Sequence, residues 1–298
     1  MDCASEPTGF HYVGNCIRPP SEADSILIQA TIGCSHNKCA FCGTYKDKRF
    51  AIKDRAILEQ DLAFAQKYCR HQRRVFIMDG DALVMPMRHW EWLLGEIRRR
   101  LPWVERVGTY ANSKAVALKS DQDLRRLKEL GLGIVYYGLE SGHPEVLQRI
   151  NKGATPEKHI TQGRRLKQAG ILLSVTVLLG IGGVELSLEH ARETGRVLSA
   201  MDPDYVGALT LMLIPGTPLC EAYERGEFHL PDPAGMLLEL REMIAHTDLS
   251  DGLFFANHAS NYLPIKAHLP RDKAAALALI DQALAGRVGL KPEWLRAL

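Results

Sequence analysis

Six short apolar runs recur along the chain, and segments of helical period lie between them. The runs are SILIQATIG (25–33), RRVFIMDG (73–80), RVGTYAN (106–112), IVYYGLES (134–141), LLSVTVLLG (172–180) and YVGALTLML (205–213). Each is short, and most are rich in β-branched or aromatic residues, as buried strands are. The intervening helical segments are 54–70, 88–100, 120–130, 156–169 and 187–200. In the second of these, Trp90, Leu93, Leu94 and Ile97 fall on one helical face. Alternation of strand and helix at a spacing of about 30 residues predicts parallel strands joined by right-handed crossovers. Six such units predict an α/β fold, a partial (β/α)6 TIM-like barrel over residues 25–215.

Beyond the barrel the pattern changes. PGTPLCEAYERGEF reads as a turn and a short helix, and 232–247 and 271–286 read as amphipathic helices. The stretch FFANHASNYLPIKAHLP (254–270) reads as irregular, polar and aromatic. Residues 216–298 are therefore expected to form a mostly helical C-terminal extension lying across the open side of the barrel. Residues 1–24 are expected to form an N-terminal segment packing on the barrel, with RPPSEA (18–23) at its other end and Arg18 structural. The sequence holds no low-complexity segment and no Gly/Ser linker.

Composition narrows the class. With 298 residues, 46% hydrophobic and 24% charged, the chain reads as a globular protein with a sizeable core. A net charge of +2 gives no electrostatic case for a large nucleic-acid interface. The longest apolar run, ILLSVTVLLGIGG (171–183), is too short for a membrane span. The N-terminus lacks the basic-then-apolar order of a signal peptide. A cytoplasmic protein with reduced thiols is expected.

The seven cysteines are unevenly placed. Cys34, Cys39 and Cys42 lie within GCSHNKCAFCGTY (33–45), a loop directly after the first strand, whereas Cys3, Cys16, Cys69 and Cys220 are scattered. Three readings are open. The thiols are unrelated buried cysteines; or they hold zinc with His36 as a fourth ligand, although the paired-knuckle spacing is missing; or they hold a 4Fe–4S cluster. Such a cluster normally takes one cysteine per iron, so three leave one iron open to a substrate or cofactor. The loop's place supports the third reading, because barrel chemistry sits at the carboxyl ends of the strands.

With this loop the sequence resembles the radical S-adenosylmethionine superfamily over about residues 25–215. Its C-x4-C-x2-C is one residue longer in the first gap than the usual C-x3-C-x2-C of that family. The resemblance implies that Cys34, Cys39 and Cys42 bind the cluster and that Phe41 lies against the adenine. The family's Gly-Gly-Glu-like stretch corresponds to Asp79-Gly80-Asp81, in which only Gly80 matches strictly and Asp81 replaces the acid that holds the methionine amino group. Asn112, at the end of the third strand, stands where a ribose contact is common. GLESG, with Glu140, resembles the segment after the fourth strand in the branch containing oxygen-independent coproporphyrinogen oxidases and methylthiotransferases. In EVLQRINKG, Lys152 aligns with that branch's basic partner for the methionine carboxylate. Thr176 lies in the fifth strand, Gly180–Glu185 resembles the adenine-side turn, and Leu213 ends the sixth strand as an apolar adenine contact. Each residue also has a plain alternative: a loop acid, a helix cap, a helix-end cation, a tight turn.

The resemblance implies an enzyme that reduces the sulfonium of S-adenosylmethionine through the cluster. The resulting 5′-deoxyadenosyl radical abstracts hydrogen from a small-molecule substrate, as an oxidoreductase or lyase would. A reductant such as flavodoxin or ferredoxin is implied, and no nucleic acid or membrane partner. No second cysteine set is present, so methylthiolation and sulfur insertion are not expected. RPPSEADSILIQATIGCSHNKCAFC, DGDAL and NHASNYLPI together resemble a group of stand-alone bacterial radical proteins described only as Fe–S oxidoreductases. His258, Asn261 and Tyr262 then become candidate substrate-side residues, with His258 and Asn261 foremost. The alternative function is a non-catalytic iron–sulfur electron carrier or a zinc-binding module, neither of which has a use for Glu140, Lys152 or the glycine turn.

Overall fold

The computed structural model describes residues 9–297. These form two compact units. The first comprises the described residues up to Asn37, with Thr44–Tyr136 and Gln168–Leu172; the second comprises Lys38–Gly43, Tyr137–Lys167 and the chain from Leu173 onward. The last strands of the repeat and the chain beyond residue 215 share the second unit.

In the first unit, strand β1 (Ile26–Gln29) is followed by a short antiparallel pair, β2 (Thr31–Ile32) and β3 (Ala51–Ile52). Helix α1 (Arg55–Tyr68) leads to β4 (Arg74–Met78), helix α2 (Met87–Arg100) to β5 (Arg106–Ala111), and helices α3 (Ser113–Ala117) and α4 (Asp121–Glu129) follow. β1 pairs in parallel with β4, Ile26 opposite Val75, and β4 with β5, Arg74 opposite Arg106. The core is the strand run Val75–Met78 with Leu58, Leu62, Trp90, Leu93, Leu94 and Ile97, all buried. The stripe read from the sequence is thus the buried face of α2. Helix α4 starts at a reciprocal cap in which Ser120 and Asp123 satisfy each other's backbone N–H groups.

The N-terminal segment lies along β1. Gln29 exchanges hydrogen bonds with Val13 (2.8 and 3.2 Å), and the Tyr12 hydroxyl donates to Leu27 O (3.0 Å). Within RPPSEA the anchoring residue is Glu22, fully buried and held by Arg106 and Tyr136, each at 2.5 Å. Arg18, expected to be structural, is exposed.

Strand β6 (Leu132–Glu140) enters the second unit, where helices α5 (Pro144–Arg149) and α6 (Pro156–Gln168), strand β7 (Leu172–Leu179), helix α7 (Gly183–Met201) and strand β8 (Tyr205–Thr210) follow. Helices α8 (Pro218–Glu224) and α9 (Pro233–Ala245) come next, then β9 (Gly252–Ala256), β10 (Ile265–Leu269) and helix α10 (Lys273–Leu284). β7 pairs in parallel with β8, and β8 with β9, whereas β10 runs antiparallel to β9. The strand order is β1-β4-β5-β6-β7-β8-β9-β10, a mostly parallel α/β sheet of eight strands.

Two strands therefore lie where the sequence predicts irregular chain, within an extension that is otherwise helical. The physical reason is visible afterwards: GLFFA and IKAHL each alternate buried with more exposed positions, the period of a strand, but over only five residues. Helices α3 and α5, of five and six residues, escape periodicity for the same reason.

Candidate functional site

The cysteine loop is anchored along both of its halves. In the first half, Gly33 N–H donates to Oδ2 of Asp79 (3.1 Å), which also accepts from Gln29 (2.9 Å). Ser35 donates its backbone N–H (2.9 Å) and its hydroxyl to Asp81. Asn112 donates to the same carboxylate at 2.9 Å, while its own Oδ1 caps α3 by accepting from Ala115 N–H at 2.8 Å. Burial pushes the Asp81 carboxyl above the usual range, and the donors of Ser35 and Asn112 draw it back. Gly80 lies against Cys34: a Cβ there would stand 2.9 Å from Cys34 Cβ and 2.7 Å from the Tyr45 ring. Only glycine fits this contact.

The second half, Lys38–Gly43, is tied to the second unit. Ala40 N–H donates to Ile150 O (2.9 Å), and Ala40 O accepts from Leu219 N–H (3.0 Å). Phe41 packs on a cluster formed by Val146, Ile150, Leu178, Ile181, Leu211 and Phe228. Leu213 packs on the same cluster. Cys34, Cys39 and Cys42 are half-buried, and none of the described cysteines is in a disulfide. Cys3 lies outside the described residues. Cys69 caps the end of α1 and Cys220 lies in α8, both buried, as core thiols do.

Glu140 and Lys152 pair with each other. Lys152 Nζ stands 2.8 Å from Glu140 Oε1, and both side chains are largely buried. Glu140 ends β6 with a left-handed backbone (φ 66°), a strained conformation for a non-glycine residue. Gly138 makes room for the pair: a Cβ there would come within 2.6 Å of Oε1 and 2.9 Å of Nζ.

Gly180 also has a positive φ (82°) and opens the turn into α7. Its N–H donates to Glu239 Oε1 at 2.6 Å. Thr176 sits inside β7 opposite Gly207. A cavity of about 440 Å³ opens between Ala40, the end of α5 (Arg149, Ile150), the turn Ile181–Gly182 and α8 (Leu219, Ala222). Its lining mixes apolar residues with Arg149, Glu185 and Glu227.

The loop after β9 leaves at the same end of its strands as the Gly180 turn, because β7, β8 and β9 are parallel. Within it Asn261 is buried and committed to the end of β8: its Oδ1 accepts from Thr210 N–H and its Nδ2 donates to Ala208 O, both at 2.8 Å. Tyr262 bonds Glu293 (2.6 Å) and stacks under Arg296, whose Nε donates to Ser260 O (2.6 Å). His258 remains half-buried beside Ser260 (2.9 Å), with its pKa lowered by burial and by the charge of Lys291. Of the two residues expected on the substrate side, His258 is the more accessible.

The residues that sequence reasoning missed are Ser35, Gly138, Ser141, His190 and Glu239. Glu239 had a signal: it lies among Met236, Leu240 and Met243 on the buried face of α9. The others carry none beyond their neighbours.

These features define a class. Residues 28–194, more than half of the chain, match the Radical SAM superfamily, and the chain belongs to it. Its cofactors are accordingly a 4Fe–4S cluster and S-adenosylmethionine. Among particular proteins, the chain is similar to tRNA uridine(34) acetyltransferase of Methanocaldococcus infernus, 21% identical over 65% of this chain and 44% of that protein. In structure it is similar to coproporphyrinogen III oxidase HemN from Escherichia coli (TM-score 0.54, 16% identity, 74% of this chain and 51% of that one). It is also similar to the methyltransferase TsrM from Kitasatospora setae, solved with cobalamin and a 4Fe–4S cluster (TM-score 0.54, 22% identity, 67% and 36%). At these identities the structural likeness concerns the fold. The chain spans less than half the length of the first of these relatives.

The residues present fit the family's cofactors. Three thiols stand on one loop, outside any disulfide. A four-iron cluster takes one thiolate per iron, and three thiols leave one iron for the cofactor. Oδ1 of Asp79 is buried and has no hydrogen-bond partner among the described residues. Among the described residues no helix is long and apolar enough to cross a membrane.

Proposed function

We propose that the chain is a radical S-adenosylmethionine enzyme acting by hydrogen abstraction on a small molecule, with Cys34, Cys39 and Cys42 as its cluster ligands. The observation that carries this reading is the three-thiol loop with both halves fixed by backbone hydrogen bonds, outside any disulfide. When bound, the cluster supplies the electron that cleaves S-adenosylmethionine to methionine and a 5′-deoxyadenosyl radical.

The chain's own residues bind and orient. The acidic stretch Asp79–Asp81 offers negative charge to the methionine amino group, with Asp81 bracing the loop through Ser35 and Asn112, and Gly80 seating Cys34. Lys152 offers positive charge to the carboxylate, and Glu140 fixes that amine. Phe41, Thr176, the Gly180 turn and Leu213 serve the nucleoside side. His258 is the candidate substrate contact, and an acidic flavodoxin- or ferredoxin-type protein the candidate reductant.

The test is anaerobic reconstitution, followed by iron and sulfide analysis and chromatography after chemical reduction. Methionine and 5′-deoxyadenosine are expected in equal amounts. A fully loaded protein that neither binds nor cleaves S-adenosylmethionine would instead be an electron carrier. Deuterium transfer from a candidate compound into 5′-deoxyadenosine would identify the substrate.

A further inference from the structure

Helix α9 carries a glutamate inside its apolar face. Met236, Leu237, Leu240, Met243 and Ile244 surround Glu239 in sequence, and all of them, Glu239 included, are buried. A carboxylate in such a place is costly unless donors meet both oxygens. Here Oε1 accepts from Gly180 N–H at 2.6 Å and Oε2 from the Ser187 hydroxyl. Met236 of the same helix fills the space beside Gly180, where a Cβ would stand 2.4 Å from its terminal methyl carbon. Helix α9 thus grips the glycine turn twice, once by packing and once by hydrogen bonding.

The network continues. His190 of α7 has Nε2 3.4 Å from Glu239 Oε1 and 3.1 Å from Leu178 O. A carbonyl only accepts, so Nε2 carries the proton and Nδ1 accepts from the Ser141 hydroxyl at 2.8 Å. Thr194, one turn on, accepts from Gly142 N–H at 2.8 Å. Ser141 directly follows Glu140. A chain of buried polar groups therefore links the Gly180 turn to the turn that bears the Glu140–Lys152 pair, and its far end is a residue outside the segment 28–194 shared with the family.

We propose that Glu239 is a positioning residue for S-adenosylmethionine: by holding Gly180 N–H it sets the adenine-side turn and makes nucleotide binding depend on helix α9 of the extension. The proposal rests on the reading of the Gly180 turn given under Proposed function.

The test compares wild type, Glu239→Met and Glu239→Gln in the full, cluster-loaded chain. Met keeps the volume and removes the acceptor. Gln keeps an oxygen for Gly180 N–H and offers an amide to Ser187. The readouts are the S-adenosylmethionine dissociation constant by equilibrium dialysis and amide exchange of Gly180–Glu185 without nucleotide. Met is expected to weaken binding about tenfold, the value of one unmade buried hydrogen bond, and to speed exchange by a similar factor. Its rate of cleavage at saturating nucleotide should change far less. Gln should restore both readouts to within about threefold of wild type. Should Met fail to fold, Glu239→Asp, one methylene short of Gly180, puts the same question. A folded, loaded Met variant that binds as wild type does overturns the proposal, as does unchanged exchange of the turn. Wild type that fails to bind at all, while the Met variant still exchanges faster, overturns the reading of the site and leaves Glu239 a purely structural residue.

Discussion

Lys152 Nζ and Glu140 Oε1 lie 2.8 Å apart, both beside the place a side chain at Gly138 would take. The carboxylate of Glu140 fixes the direction of the Lys152 amine. Gly138→Ala would place a carbon within 2.6 Å of the carboxylate oxygen and push the pair aside. We expect a stability loss of about 1–3 kcal/mol by denaturant titration and weaker S-adenosylmethionine binding, with cluster content unchanged.

Removing one member of the pair should differ from removing both. Glu140→Ala strips the carboxylate from a buried ammonium, at a cost of about 3 kcal/mol. Glu140→Leu combined with Lys152→Met should recover much of that stability but none of the nucleotide affinity. Equal loss of stability in the single and double variants would contradict the coupling.

Each of Cys34→Ala, Cys39→Ala and Cys42→Ala should abolish iron and sulfide incorporation, whereas Cys69→Ala should retain about four irons per chain. Iron analysis after anaerobic reconstitution decides this. A Cys42 variant that kept a full cluster would remove that residue from the ligand set.

Asp81→Ala deletes the acceptor shared by Ser35 and Asn112. The expected cost is about 3 kcal/mol, with faster amide exchange at Gly33–Asn37 and slower cluster uptake. Asp81→Asn, which keeps one oxygen, should fall between the alanine variant and wild type.

Burial raises the Glu239 carboxyl from 4.5 to about 7 and lowers the His190 imidazole from 6.5 to about 4, with His143 adding to the latter. A raised folded-state pKa contributes stability that is full below 4.5 and lost as pH rises toward about 7. A lowered one contributes stability that is full above 6.5 and lost as pH falls toward about 4. Between 4.5 and 6.5 the two slopes oppose each other. Glu239→Gln removes the first and exposes the second. The stability of wild type relative to this variant should therefore fall by about 2 kcal/mol between about pH 5 and 6.5, measured by denaturant titration at each pH.

The barrel was legible because its elements are long enough to show a period. Trp90, Leu93, Leu94 and Ile97 declare one face of α2, and the run VFIM a buried strand. The cysteine loop was legible because three thiols of seven fall within nine residues of chain, 34–42. β9 and β10 were not, since five residues of alternation cannot be told from polar-aromatic loop. What Asn261 does was hidden for another reason. Its type suits either a ligand or a strand end, and only tertiary structure brings Thr210 N–H to its side chain. The partition of labour within Asp79-Gly80-Asp81 was equally invisible, because neighbouring carboxylates differ only in which donors reach them.

The buried Glu239–His190 contact redistributes protons on folding. Between pH 4.5 and 6.5 the unfolded chain carries a carboxylate and an imidazolium at these positions, and the folded chain a carboxylic acid and a neutral imidazole. Both states hold the same number of protons. Folding thus acts as an internal tautomerisation that exchanges a pair of opposite ions for two uncharged groups. The interior beside the Gly180 turn then presents dipoles rather than net charges to whatever binds there. Above about pH 7 the carboxyl ionises, and a single negative charge stands alone behind the turn.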